Sequence, residues 1–325
     1  MPETQKSSSS LSKWLLVQPV MMRVVIGLLP CLAGAVAFFG LRALLVTAVV
    51  MISGVLAEAA FTIPNHKPVT SAVLVTSLIF SLSLPPTVPL WIAAVGIVFA
   101  VVFGKMAFGG FGFNVYNPAM VGRCFVYISF PLALTAGWVP PFEPIGTGFF
   151  SWLPPVDAVT AATPLKLIRS GESMALLPLF WGNIGGSLGE TSALLIAIGG
   201  AFILYKKAAQ WRLVASCLIG ALAASLLLFL LGVPGAPDPL TAVLAGSIFF
   251  GACFVVTEPI SAPKTRPGQW IYGIAIGALT IILRRYSNFP EGVMFSVLFM
   301  NTFVPLLDRG VQAYQKRQQP KAGGS

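Results

Sequence analysis

The sequence predicts an all-α integral membrane protein of about ten transmembrane helices, arranged as two five-helix halves of opposite orientation. Three observations lead there. Of 325 residues, 56% are hydrophobic and only 9% charged, against a charged share near one quarter in soluble domains. Charge-poor apolar runs follow one another along the chain, separated by Pro- and Gly-rich connections. The basic residues that give a net charge of +10 are scattered between those runs rather than gathered on one polar surface, so they read as a topology signal and not as a nucleic-acid footprint. A water-soluble globule, a disordered tail and a fibrous repeat are excluded, because none needs long apolar runs in series.

The runs fall at Val24 to Gly40, Ala43 to Ile63, Pro68 to Leu84, Val88 to Gly104 and Pro118 to Ala136, the last carrying Arg123. After a long Pro/Gly-rich stretch come Thr191 to Tyr205, Leu213 to Leu231, Leu240 to Thr257, Trp270 to Leu283 and Glu291 to Leu307. Several are shorter than the roughly 20 residues a perpendicular span needs. Those must extend into flanking residues or be tilted, broken or re-entrant inside the bundle. This divides the chain into an N-terminal segment 1–23, a first half 24–136, a loop 137–190, a second half 191–307 and a basic tail 308–325. Ala35-Val36-Ala37 has the small residues of a signal-peptidase site, but a second apolar run follows at once, so the first is expected to stay as a signal anchor.

An even number of spans puts both termini on one side, and the positive-inside rule chooses the cytoplasmic side of a bacterial inner membrane. Fifteen of the 20 Lys and Arg then lie inside. Arg42, Lys166, Arg169, Arg284 and Arg285 remain outside, and the stretch from Gly137 to Glu190 becomes an extracytoplasmic loop. The Arg284-Arg285 pair is the one placement the rule does not favour. An odd number of crossings per half inverts the second half, and a weak internal likeness supports it: Pro68-Val69-Thr70-Ser71-Ala72-Val73-Leu74 against Pro239-Leu240-Thr241-Ala242-Val243-Leu244, each at the third span of its half. Inverted repeats place sites near the midplane, where short or interrupted helices meet.

The four cysteines, Cys31, Cys124, Cys217 and Cys253, stand singly in apolar runs, and His66 is the only histidine. Neither a zinc or iron–sulfur motif nor a histidine pair for haem is available, so a metal redox centre is expected on a partner. Glu58 and Glu258 fall in or at the end of apolar runs. Carboxylates in such places are expensive and are candidates for a cation path or proton relay, with paired structural carboxylates as the other reading. Phe108 to Asn117, with Gly109, Gly110, Asn114 and Asn117, has no preceding strand and is not a dinucleotide fingerprint. Its glycines fit close helix packing or a helix break. Gly185, Gly186 and Ser187 precede the sixth run, where the glycines would let backbone N–H groups approach an anion such as the FMN phosphate, and Glu190 reads as a helix-start carboxylate.

In the long loop, Asp157-Ala158-Val159-Thr160-Ala161-Ala162-Thr163-Pro164 reads first as a turn and helix start, with Thr163 as N-cap and Pro164 at the first helical position. It also resembles the motif D-x-x-[ST]-x-A-T, at which a flavin transferase joins the phosphate of FMN to threonine. On that match Asp157, Thr160 and Ala162 are read by the transferase and Thr163 is the acceptor. A helix start also favours phosphate physically, through free N–H groups and the helix dipole.

Around this loop nearly the whole chain resembles the family of membrane proteins that holds the RnfD component of the Rnf ferredoxin:NAD oxidoreductase and the NqrB component of the sodium-pumping NADH:quinone oxidoreductase. The further anchors are Gly104-Lys105, Phe108-Gly109-Gly110, Asn114, Asn117-Pro118-Ala119, Gly182-Asn183, Gly185-Gly186-Ser187, Gly189-Glu190, Thr257-Glu258-Pro259 and Pro290-Glu291-Gly292 with Asp308. The short segment before the first run favours the Rnf type. Val17-Gln18-Pro19-Val20 departs from the Ser-Pro-His that the family often shows there. The resemblance implies a urea-transporter-like bundle, FMN covalently held on Thr163, and riboflavin or another second flavin framed by the helix breaks. It implies as partners a membrane iron–sulfur pair, an extracytoplasmic FMN-bearing component, cytoplasmic NADH- and ferredoxin-side components, and the transferase. The chain would then be an electron-transfer component of an ion-translocating complex, coupled to Na⁺ or H⁺ movement, without a complete active site of its own. A urea-type channel and a cofactor-free scaffold are the competing classes; the acceptor motif is what separates them, because a passive channel has no use for it.

Overall fold

The computed structural model describes residues 15–135, 137–153, 164–169, 174–236, 238–287 and 292–318. Asp157, Thr160, Ala162 and Thr163 lie outside the described residues. The chain enters through β1 (Leu15–Leu16) and continues as α1 (Pro19–Phe39), with proline in its first turn and Gly40 at φ 87° closing it. α2 (Arg42–Thr62) returns, and β2 (Val69–Thr70) pairs in parallel with β1. α3 (Ala72–Leu82) is short and buried on nearly every face. α4 (Leu90–Gly104) continues through a 3₁₀ turn, Met106–Phe108. α5 (Pro118–Ser129) starts on Asn117, whose side-chain oxygen accepts from the N–H groups of Ala119 and Met120, and stops at Phe130 before α6 (Pro131–Thr135).

The long connection between the halves contributes α7 (Pro164–Arg169) and α8 (Leu176–Trp181). α9 (Ala193–Tyr205) is capped by Ser192, and α10 (Trp211–Leu230) follows. The eighth expected run is broken. α11 (Pro239–Leu244), capped by Asp238, gives way to an extended Ala245 and to Gly246 at φ 70°, after which α12 (Ser247–Phe250) runs into a π turn, Gly251–Val255. α13 (Arg266–Tyr286) and α14 (Gly292–Gln318) complete the bundle. A helix therefore stands in each of the ten expected runs. Among the described residues four are long and apolar enough to cross a membrane: α1, α2, α4 with its 3₁₀ turn, and α10. The fifth run, read as continuous to Ala136, is interrupted at Phe130 because Pro131 withholds an N–H from the ladder.

Packing is tight where glycines let backbones meet. α10 lies along α13, α13 along α14, α4 against α2 and α5, and α1 crosses α9. At the α1–α9 crossing a Cβ on Gly199 would stand 2.0 Å from the Gly27 carbonyl oxygen, a backbone atom that cannot step aside. One contiguous apolar core fills the bundle, and a small satellite core of Ile168, Leu179, Ile184 and Ala245 lies under α7 and α8.

The crossing gives a direct test. Gly199→Val should cost about 3 kcal/mol or more through overpacking, read as a large fall in the thermal midpoint in detergent. Gly310→Val, at a site with nothing within 4 Å of the added Cβ, should leave the midpoint close to wild type.

Candidate functional site

Two clusters of buried polar residues interrupt the apolar bundle. Where α2 and α4 finish, Glu58 projects from α2 with 1% exposure. One carboxylate oxygen accepts from the Thr70 N–H (3.0 Å) and hydroxyl (2.7 Å). The other accepts from Lys105 Nζ at 2.6 Å, and Lys105 also donates to Thr70 Oγ1 at 2.7 Å. The lysine stands just past α4 and is 2% exposed. Gly109 and Gly110, at φ 110° and 98°, turn the chain back there, and the Gly110 N–H closes the turn on the Lys105 carbonyl at 3.1 Å. These glycines thus hold the lysine at the place from which its ammonium reaches the bundle. Glu58, read from the sequence as part of a cation path or as one of two paired structural carboxylates, forms an ion pair with a lysine 47 residues away.

Beside this pair a cavity of about 40 Å³ is lined by Thr76, Lys105, Phe111, Asn114, Glu258 and Ile260, among others. Glu258 accepts from the N–H of Ser261 at 2.8 Å and from its hydroxyl. Donors on Ile260 and Asn114 also face the Glu258 carboxylate. Asn114 also donates to the Tyr116 carbonyl. Asn117 is spent on structure: it caps α5, donates through Nδ2 to the Val255 carbonyl (3.2 Å), and its N–H donates to Asn301 Oδ1 (3.1 Å). Asn301 in turn donates to the Tyr272 hydroxyl at 2.7 Å. Asn114 and Asn117 are brought to one cavity, and Gly109 and Gly110 shape the turn beside it. A volume of about 40 Å³ accepts one or a few waters and does not admit the three fused rings of a flavin as packed.

In the second cluster, Arg123 of α5 donates to Glu190 at 3.0 Å, with both side chains buried. Glu190 is expected as a helix-start carboxylate; the cap is Ser192, and Glu190 faces the arginine instead. Ser187 is buried in the same turn, and the next two N–H groups, of Leu188 and Gly189, donate to the Leu84 and Leu82 carbonyls. The turn that holds Gly185, Gly186 and Ser187 is thereby tied to the end of α3. Arg123, which the charge count assigns to a cytoplasmic segment, is a buried residue of the bundle. Arg284, the awkward outer charge, is also explained: it is 8% exposed and donates to the Ala242 and Ala245 carbonyls at the end of α11. No local spacing in the sequence announces these partners.

The helix that follows the acceptor motif begins at Pro164. Leu165 and Ile168 seat it on Leu179, Ile184 and Ala245, beside the break of the eighth run. All four cysteines are free, and among the described residues no group of three His, Cys, Asp or Glu comes together.

The model of the NQR2, RnfD, RnfE family matches residues 4–316, almost the full length. The chain belongs to this family. It is 38% identical over 298 residues to the D component of the Na⁺-translocating ferredoxin:NAD⁺ oxidoreductase complex of Acetobacterium woodii, covering 89% of this chain and 87% of that one. It is 39% identical over 288 residues to the B component of the Na⁺-translocating NADH-quinone reductase of Ectopseudomonas mendocina, covering 84% and 68%. The corresponding B component of Klebsiella pneumoniae matches at 38% over 291 residues, covering 84% and 67%. These relatives are components of Na⁺-translocating oxidoreductases that act on ferredoxin and NAD⁺ or on NADH and quinone.

The Glu58–Lys105 pair makes a thermodynamic prediction. Lys105→Met alone leaves a buried carboxylate and should cost about 3 to 5 kcal/mol, whereas pairing it with Glu58→Met should recover a large part of that loss. A double-mutant cycle on chemical unfolding in detergent checks the sign.

Proposed function

We propose that this chain is the membrane electron-transfer component of an ion-translocating oxidoreductase complex, with FMN joined by a phosphoester to Thr163. The observation that carries the reading is the conjunction of a family match over almost the whole chain with the acceptor motif directly ahead of α7. A bound flavin would supply transfer of electrons singly or in pairs. The chain's own residues do the rest. Leu165 and Ile168 fix the helix after the acceptor on the bundle. The Arg123–Glu190 pair and the Ser187–Gly189 turn hold the loop end against α3 and α5. The 38% identity to a ferredoxin:NAD⁺ oxidoreductase component over most of both chains supports the Rnf type.

The reading extends to topology, with ten spans, termini on the cytoplasmic face of the inner membrane and the loop of α7 and α8 outside. The packing of α2 on α4 and α4 on α5, answered by α10 on α13 and α13 on α14, supports two like halves. Partners are then a membrane iron–sulfur pair, an extracytoplasmic FMN-bearing component, cytoplasmic substrate-side components and the flavin transferase. For the coupling ion, Glu258 is the better candidate of the two carboxylates, because Glu58 is already neutralised by Lys105. A second flavin is proposed on the family resemblance alone, and the Lys105–Glu258 cavity, at about 40 Å³, is too small to hold its ring as packed.

Coexpression with a flavin transferase, followed by denaturing electrophoresis under ultraviolet light, tests the reading. Wild type should give a fluorescent band, Thr163→Ala none, and Asp157→Ala a band weakened several-fold. A dark wild-type band beside a labelled control acceptor in the same cells would return Thr163 to a helix cap.

A further inference from the structure

α13 and α14 leave an open groove between them. Phe303, Leu306, Gly310 and Tyr314 recur at helical spacing on one face of α14, and with Pro267 and Ile271 of α13 they line a volume of about 660 Å³, inside the roughly 300 to 1,000 Å³ of small-molecule sites. The lining is apolar yet uncovered, with Leu306 and Tyr314 each 63% exposed and Ile271 49%. A Cβ on Gly310 would meet nothing within 4 Å, so the middle of the groove is empty space. One end carries a rim of cations. Lys264 and Thr265, just ahead of α13, each donate a backbone N–H to the Asp308 carboxylate of α14 at 3.0 Å, so the start of α13 and the last turns of α14 lie at one level. There Arg266, Arg309, Lys316 and Arg317 are all exposed. Arg317 stands three residues past Tyr314 and seven past Gly310, on the same face of the helix. Asp308 is occupied by those two N–H groups and the Thr265 hydroxyl (2.6 Å), residues 309–318 contain no acidic side chain, and the four cations form no ion pair among the described residues.

We propose that this groove is a binding site for an anionic phospholipid, with an acyl chain laid along Ile271, Phe303 and Leu306 over Gly310 and the phosphate held at the rim by Arg266, Arg309 and Arg317. The depth fits. α14 runs for 27 residues, about 40 Å of helix, against the roughly 30 Å of a hydrocarbon core, so its basic last turns reach the headgroup layer, where a tyrosine such as Tyr314 is also at home. The charge decides the occupant. An apolar helix of a partner would fill the groove and leave the cations uncompensated, and a zwitterionic lipid brings its own ammonium to the rim. An anionic lipid supplies the chain and the counter-charge in one molecule, and basic pockets at the ends of transmembrane helices favour such headgroups. Guanidinium groups add paired donors that match phosphate oxygens. The site uses no residue of the acceptor loop, so it stands or falls apart from the flavin.

The test uses the full-length chain, delipidated in detergent and titrated with dioleoyl phosphatidylglycerol, dioleoyl phosphatidylcholine or glycerol phosphate, with native mass spectrometry counting retained lipid and the thermal midpoint reading stability. Wild type should retain phosphatidylglycerol in preference to phosphatidylcholine and gain a few degrees from it, and glycerol phosphate alone should do neither. Gly310→Trp, which fills the groove, and Arg266→Gln/Arg309→Gln/Arg317→Gln, which strips the rim, should each keep the lipid-free midpoint and weaken phosphatidylglycerol binding about tenfold or more. Lys206→Gln/Lys207→Gln/Arg212→Gln, an equal loss of charge in the α9–α10 connection, should leave that binding unchanged. Equal retention of the two lipids, or equal weakening by both triple variants, would overturn the proposal in favour of a general surface field. Loss in the rim variant with none in Gly310→Trp, or full stabilisation by glycerol phosphate, would reduce the site to an anion rim without a groove. A wild-type chain that retains no lipid, with Gly310→Trp instead releasing it from its complex, would give the groove to a partner's helix.

Discussion

Placing an isolated charge inside an apolar bundle costs several kcal/mol even after relaxation, and the way this chain meets that cost determines how its parts are held. Lys105 and Glu58 meet at 2.6 Å with Thr70 as a third member, so the start of α3 is fastened to α2 and α4. Arg123 and Glu190 fasten the end of the long loop to α5. Arg284 satisfies itself on the carbonyls left open by the broken eighth segment. Each of these charges is matched by a partner on another element, and each match closes a place where the backbone ladder is interrupted. Between helices in lipid there is no hydrophobic drive, so close packing at small residues and these polar contacts set how the helices meet.

The interruptions are where the site candidates gather. α3 and the α11–α12 segment are the third elements of their halves, and both are short. The small polar cavity forms between the turn after α4 and the residues following the π turn, with Lys105, Asn114 and Glu258 on its wall. The helix after the acceptor motif, α7, rests on the other break, at Ala245. The Asn117–Asn301 contact ties α5 to α14 and so joins the two halves close to the cavity. That arrangement suits the proposed function, because an electron path depends on positions that do not drift.

Much of this is legible in the residues. Pro118 after Asn117, Pro239 after Asp238 and Ser192 before an apolar run are start signals with a local cause, and each opens a helix. The apolar runs locate a helix in every expected segment because desolvation acts on local composition. The partners of the buried charges are not legible. Glu58 and Lys105 are separated by 47 residues, and Arg123 and Glu190 by 67, so their pairing depends on tertiary packing that no periodicity encodes. Glu190 reads as a dipole complement because that role is local, while its real partner is not. Arg284 looks misplaced for the same reason: a topology rule counts charges in loops and has no place for one that caps a neighbouring half-helix. The π turn at Gly251–Val255 leaves no sequence signal.

The proposed function depends most on what Thr163 carries. The decisive measurement is mass spectrometry of proteolytic peptides from the chain isolated from its native membrane. The peptide containing Asp157 to Pro164 should be heavier by one FMN less one water, with fragment ions assigning the addition to Thr163. An unmodified peptide at full recovery, from cells whose transferase has labelled another acceptor, would contradict the account and leave the bundle without the redox group assigned to its loop.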